Sequence, residues 1–164
     1  MTRTAKKKVA AAGGASAKRR SPAARAEKAE APAEQARPAE EPRADGAIVE
    51  ELRAICMSFP DANERISHGE PTWFAGKGRS FAMLDNHHHG AAHLAVWLPQ
   101  PFGVQEALIA SDPGRFFRPP YVGVSGWVGV VLDTGPDWKL VAELVREAYL
   151  HVAGARLKAR LLSR

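Results

Sequence analysis

The stretch His93-Leu94-Ala95-Val96-Trp97-Leu98 decides the fold class of this chain. Leu94, Val96 and Leu98 alternate with a second set of side chains, and a period of two is typical of a β-strand with two distinct faces. We therefore predict a strand over Ala92–Leu98 and look for its partners on either side.

Short runs with β-branched or aromatic residues flank this strand and are separated by glycine and proline. We predict strands at Glu64–His68, Thr72–Phe74 and Arg79–Leu84, and another at Gly126–Asp133 after an extended segment at Tyr121–Val124. The connections between the first four strands are too short for crossovers, so we expect antiparallel pairing.

Helical periodicity appears before, between and after the strands. A first helix is predicted between Asp45, a candidate N-cap, and Pro60, which ends it; its apolar face is formed by Ile48, Leu52, Ile55, Cys56 and Phe59. A short helix is predicted at Val104–Ala110, and a last one begins after Asp137 and ends near Gly154. The order α-β-β-β-β-α-β-α predicts an α+β fold, with an antiparallel sheet packed against N- and C-terminal helices.

The net charge of +5 is unevenly distributed. Of 23 basic and 18 acidic residues in the 164-residue chain, 11 basic and 6 acidic ones fall in residues 1–46, so residues 47–164 are neutral. The first 46 residues are rich in Ala and Pro and contain no Leu, Ile, Phe, Trp or Tyr. Such a segment cannot bury enough apolar area to offset its ordering entropy. We predict a disordered basic tail at 1–46 and one folded domain at 47–164.

Composition excludes several classes of protein. The single cysteine, Cys56, can form neither an intramolecular disulfide nor a cysteine-based zinc site. No run of about 18 apolar residues is present, so we expect no membrane span. Phosphate-binding loops, dinucleotide fingerprints and hydrolase elbows are also missing, and we expect no cofactor.

Several groups of basic residues could bind phosphate. The tail carries the clusters Lys6-Lys7-Lys8 and Lys18-Arg19-Arg20, which could give salt-sensitive, sequence-independent affinity; a solubilising extension is the alternative. Lys77 and Arg79 sit on a predicted hairpin tip, which is either a DNA-binding wing or a solvated turn.

Arg115 and Arg118 flank Phe116 and Phe117, an arrangement that can hold a single strand by stacking. The alternative is that the aromatic rings fill the core while the arginines pair with acids. Arg156 follows the last predicted helix and is a further candidate for phosphate contact.

Two histidine motifs admit other chemistry. Asp85, His87 and His89 would project from one face of an extended chain and could ligate a metal, but a polar hairpin loop is the favoured explanation, so we predict no metal site. His68 and Glu70 could form an acid–base pair, but Gly69 and Pro71 beside them more simply mark a chain reversal.

The motifs together resemble the MmcQ/YjbR family. The resemblance rests on His68-Gly69-Glu70-Pro71-Thr72-Trp73-Phe74, Phe81-Ala82-Met83, Asp112-Pro113-Gly114-Arg115-Phe116-Phe117, Tyr121-Val122-Gly123, Gly126-Trp127-Val128-Gly129-Val130 and Asp137-Trp138. It covers about residues 48–158 and implies a bacterial protein with a CyaY-like α+β fold and a double-wing DNA-binding motif. The family's usual Ala-Pro-Lys-Arg-Leu is here Ala153-Gly154-Ala155-Arg156-Leu157, which keeps Arg156 and loses one lysine.

We therefore expect a non-enzymatic, cytoplasmic, nucleoid-associated protein that contacts the DNA backbone with little sequence preference. Lys77 and Arg79 would form one wing, and the loop at 86–90 the second. The alternative is a module that binds a protein through its sheet or a metal through the His87–His89 loop. A third hypothesis is a small enzyme that uses His68 and Glu70.

Overall fold

One six-stranded sheet and four helices make up the part of the chain that the computed structural model describes, residues 44–87 and 91–163. The helices are α1 (Ala44–Met57), α2 (Val104–Ser111), α3 (Trp138–Val152) and α4 (Ala155–Leu162). The strands are β1 (Ala62–Ser67), β2 (Glu70–Ala75), β3 (Ser80–Asn86), β4 (Leu94–Pro99), β5 (Phe116–Phe117) and β6 (Trp127–Val131). Their order is β1-β2-β3-β4-β6-β5, with every neighbouring pair antiparallel. The predicted α+β class is confirmed.

Helices α1 and α3 pack against one face of the sheet, which we call the helix face. Leu94, Val96 and Leu98, the alternating set that predicts β4, have no exposed surface and belong to this core. Tyr149 of α3 stacks on Phe59 with ring centroids 4.9 Å apart and donates its hydroxyl hydrogen to the carbonyl oxygen of Pro60 at 2.6 Å. This contact ties α3 to the chain that leaves α1.

The opposite face, which we call the open face, is also largely buried at β4. Ala95 has no exposed surface and Trp97 is only 8% exposed, although both point away from the helix face. Phe117 covers part of this face and lies on Gly129, where any Cβ would overlap the Phe117 ring. Gly129 is therefore required for the close approach of β5 and its ring to the sheet.

Several predicted boundaries are wrong. Helix α1 begins at Ala44, so Asp45 is inside it and not its N-cap. Tyr121–Val124 is not extended: Tyr121 has φ 62°, and a 3-10 turn follows at Gly123–Ser125. Helix α3 does end near Gly154, as predicted, but Gly154 has a φ of −69° and is the N-cap of a further helix, α4. Asp137 does cap α3, because its Oδ1 accepts the N–H groups of residues 139 and 140.

Candidate nucleic-acid interface

Antiparallel pairing divides the candidate residues between the two ends of the sheet. The β2–β3 turn, the start of β1 and helix α4 meet at one end, which we call the basic end; its cations include Arg65, Lys77, Arg79, Arg156 and Arg160. The β1–β2 turn and the β3–β4 connection lie at the other, which we call the cavity end. Strand β3 has seven residues and separates the two ends by roughly 20 Å.

The β2–β3 turn at the basic end is held in one shape. Gly76 has φ 61°, which favours glycine, whereas Gly78 is needed because a Cβ there would lie 2.9 Å from the carbonyl oxygen of Ala75. Asn63 of β1 donates from Nδ2 to the Gly76 carbonyl oxygen at 2.7 Å. Lys77 is therefore displayed on a turn that the neighbouring strand fixes.

Lys77 and Arg79 are exposed, and neither forms an ion pair within the described ranges. Sequence reasoning missed a third cation, which lines a groove together with Lys77. Arg65 of β1 lies with its Cζ 3.7 Å from the centre of the Phe74 ring and hydrogen-bonds Asn63, and it pairs with no described carboxylate. Arg65, Lys77 and Arg156 line one groove. Two features could have identified Arg65: the position of β1 at the edge of the sheet and the polar residues on its outer face.

Arg156 reaches the basic end through α4, but it is paired. Its Nη2 lies 3.2 Å from Asp61 Oδ2, and Arg160 Nη1 lies 2.7 Å from Asp61 Oδ1. The hydrogen bond from Arg160 lowers the pKa of Asp61, and the charge of Arg156 acts in the same direction. Two arginines share one carboxylate, so this corner keeps a net positive charge.

Arg115 and Arg118 do not join this cluster. Arg115 pairs with Asp112 at 3.4 Å, and its carbonyl oxygen accepts the N–H of Val131, which places it toward the cavity end. Arg118 pairs with Glu106 at 3.4 Å. Phe116 is buried on the helix face, and the Phe117 ring lies on Gly129 on the open face. Phe116 therefore belongs to the core and both arginines pair with acids, as the alternative interpretation predicts, whereas Phe117 lies on the open face outside the core.

Of the three predicted metal ligands, the structure describes Asp85 and His87. Asp85 is buried in β3 and His87 is exposed, while His89 lies outside the described residues. Across residues 44–87 and 91–163, no three His, Cys, Asp or Glu side chains are close enough to hold a metal ion. The tail residues Lys6, Lys7, Lys8, Lys18, Arg19 and Arg20 also lie outside the described residues.

A cavity of about 340 Å³ opens at the cavity end, on the open face. Met83 and Trp97, a cross-strand pair of β3 and β4, contribute to its lining, as do Asp85 and Tyr121. His68 and Glu70 line it too, so the turn that the sequence marks as a chain reversal also brings both side chains to one cavity. His68 and Gly69 have φ values of 54° and 85°, as a type I′ hairpin turn requires.

Comparison with known proteins agrees with this architecture. The YjbR family model matches residues 57–151, just over half of the chain. The crystal structure of Deinococcus radiodurans protein DR2400, which has a DUF419 domain, is similar with a TM-score of 0.53 and 24% identity over 63% of this chain and 76% of that one. No curated protein matches. Among the described residues, no helix combines the length and apolar character that crossing a membrane requires. The chain belongs to the YjbR family.

Proposed function

We propose that this protein binds DNA through the phosphate backbone, with little sequence preference and no catalysis, as a nucleoid-associated protein. The observation that carries the proposal is the fixed β2–β3 turn, on which Lys77 and Arg79 stand exposed without an ion-pair partner in the described part of the chain. Each phosphate that a cation neutralises releases counterions, which gives affinity that depends on salt and not on base sequence.

The choice of these cations follows from what binding would have to break. Arg115, Arg118 and Arg156 each pair with a carboxylate, and a phosphate must compete with that partner. Lys77 and Arg79 lose no such pair when they contact DNA, and Arg65 has only a neutral hydrogen bond and its contact with the Phe74 ring to exchange. The folded domain carries no excess charge, so its contribution must come from this local cluster.

The two proposed wings have different roles in this interpretation. Asn86 and His87, the described part of the 86–90 loop, lie at the far end of β3 and are separated from Lys77 and Arg79 by the length of that strand. The proposed contact is therefore centred on the basic end, and residues 88–90 lie outside the described residues. The tail, with its six clustered cations at 6–8 and 18–20, supplies the additional electrostatic attraction.

The test is the salt dependence of DNA affinity, measured on the full chain with one duplex between 50 and 300 mM KCl. The triple variant Arg65→Gln, Lys77→Gln, Arg79→Gln should lower the slope of log affinity against log salt by about 3. Replacing the six clustered tail cations by Ser should lower it by about 5. Arg115→Gln is the matched control, because Arg115 is also an exposed arginine but pairs with Asp112 away from the basic end.

The outcomes separate the contributions. A reduced slope in the triple variant, with wild-type behaviour of Arg115→Gln, supports the basic end as a DNA contact. A wild-type slope in the triple variant contradicts a DNA contact at the basic end and leaves the tail as the proposed source of the affinity. Unchanged DNA binding in both the triple variant and the tail variant contradicts the whole proposal.

A further inference from the structure

The basic end continues beyond the β2–β3 turn into a second groove. Because β4 runs opposite to β3, its last residue lies at the basic end, where it pairs with Trp127 at the start of β6. Arg79, Trp127 and His151 line the first part of the groove. The second part shares His151 with the first and extends to Phe102, which follows β4. We call the whole surface the Phe102 groove, and it begins at a cation of the proposed DNA contact.

Two apolar side chains in the second part of the groove stand in solvent. Phe102 is fully exposed, and Val124 is 84% exposed. Apolar side chains that are scattered singly over a surface need no explanation, but these two line the same groove. The second part of the groove therefore offers an aromatic ring and an aliphatic neighbour to whatever occupies it.

The turn that carries Phe102 is held by a buried glutamine on each side. Gln100, which precedes it, donates from Nε2 to the carbonyl oxygen of Leu144 at 3.3 Å. Gln105, which follows it, donates from Nε2 to the carbonyl oxygen of Gly123 at 2.8 Å. The backbone beneath the exposed ring is thus already fixed, so a ligand that stacks on the ring has little backbone to order.

The charge of the groove favours a polyanion. Arg79 is exposed, and no Asp or Glu is among the described residues that line the first part. In the second part, the carboxylate of Glu106 is paired with Arg118 at 3.4 Å. An occupant that follows the groove therefore meets positive charge at Arg79 and an aromatic ring at Phe102. A nucleic-acid strand carries the two matching groups, phosphates and flat bases.

The exposed ring distinguishes unpaired from paired strands. In a duplex, both faces of every internal base are covered by neighbouring base pairs, so a protein ring stacks readily only on a base that is unpaired or at a strand end. From β3 across β4 to β6 the groove spans two strand spacings, roughly 10 Å. This is the length of about three stacked nucleotides, at about 3.4 Å each.

We propose that the Phe102 groove binds a short unpaired segment of DNA, with one base stacked on the Phe102 ring and neighbouring phosphates at Arg79 and Lys77. This inference rests on the proposed DNA contact at the basic end and adds to it a preference for single-stranded over fully paired DNA. The half-buried Trp127 and the exposed His151 line the path between the ring and the cations. Every base has a flat face, so the preference requires no particular sequence.

The experiment measures the affinity of the full chain for three labelled ligands at one salt concentration. They are a twelve-nucleotide oligothymidylate, an abasic strand with the same number of phosphates, and a duplex of the same length. Phe102→Ser should weaken binding of the oligothymidylate about tenfold, because the stacking of one base is lost. It should leave the abasic strand and the duplex unchanged, because their phosphates still meet the same cations.

Ile66→Ser is the matched control. Ile66 is also an exposed apolar residue, but it lies on β1 near the cavity end, and its replacement should change the affinity for none of the three ligands. Wild-type affinity of Phe102→Ser for the oligothymidylate overturns the inference, as does equal weakening of oligothymidylate and duplex. An acidic peptide of alternating Glu and Phe that loses more affinity in Phe102→Ser than the oligothymidylate does would assign the groove to a protein partner and also overturn it.

The triple variant of Arg65, Lys77 and Arg79 separates this inference from the proposed function. If the triple variant weakens binding of all three ligands while Phe102→Ser weakens none, the DNA contact at the basic end stands and only the stacking is refuted. If the wild-type chain binds none of the three ligands, both proposals are refuted. Weakening of all three ligands by the triple variant, and of the oligothymidylate alone by Phe102→Ser, supports both.

Discussion

At the basic end, Arg65, Lys77 and Arg79 stand in solvent without a described carboxylate, whereas at the cavity end Glu70 and Asp85 line a concave surface with no described Lys or Arg. The same strands connect the two regions, and the length of β3 holds the opposite charges apart. The neutral total for residues 47–164 therefore hides a local group of unpaired cations at the basic end.

The largest expected difference between the two regions is the stability that an added methyl group costs in each. Gly129→Ala places a Cβ against the Phe117 ring on the open face, in the same layer as Trp97, and should destabilise the fold by about 2 kcal/mol. Urea unfolding measures the loss. Gly154→Ala is the matched control at the basic end, because nothing lies within 4 Å of its added Cβ. Equal stability of the two variants would show that the open face is not tightly packed.

The indole N–H of Trp97, which has no described partner, can be compared with that of Trp73, which is hydrogen-bonded. Trp73→Phe removes a hydrogen bond to Glu64, while Trp97→Phe removes an N–H that has no described partner. We expect Trp73→Phe to be the more destabilising by about 1 kcal/mol in urea unfolding. A larger loss in Trp97→Phe would mean that its N–H is well satisfied in solution.

The smallest expected effect comes from the acid within the basic end. Asp61→Asn frees Arg156 and Arg160, and asparagine tolerates the φ of 51° at this position. DNA affinity at 0.1 M salt should rise about threefold. Lower affinity in this variant would mean that the Asp61 pairs position the arginines productively.

The pH dependence of the same carboxylate has a definite sign. The arginines hold the pKa of Asp61 below its ordinary value of 3.8, so the stabilising pairs are fully present above that pH. They are lost only as pH falls through the lower folded value. Asp61 thus remains ionised from pH 5 to 8, and the affinity ratio between Asp61→Asn and wild type should stay constant over that range in titrations with one duplex.

The strands were the most predictable part of the fold, because the alternation of side chains at 93–98 has the period of a β-strand and not that of a helix. The two-residue β5 is too short to produce a pattern, and the left-handed φ of Tyr121 has no signature in a bulky residue. The pairing of Arg115 with Asp112 was accessible from their spacing. That of Arg156 with Asp61, 95 positions apart, depends on the docking of α4 and was not.

The candidate sites also depend on contacts between residues that are far apart in the sequence. Lys77 and Arg79 could be placed on a hairpin tip from two glycines, but Arg65 joins them only through the register of β1 on β2. His68, Glu70 and Asp85 were each noticed for their chemistry. Their convergence with Trp97 and Tyr121 requires the order of the strands and the path of the segment after β5, which periodicity does not specify.

The most direct test of the DNA-binding account is a residue-resolved map of the contact. A short duplex titrated into the ¹⁵N-labelled full chain should shift, within the folded domain, amide resonances of the β2–β3 turn at 76–79, of β1 at 63–65 and of the start of α4. Residues of the cavity end, at 67–70, 83–85 and 121–122, should remain unchanged. Shifts confined to the cavity end, or none in the folded domain, would contradict the account.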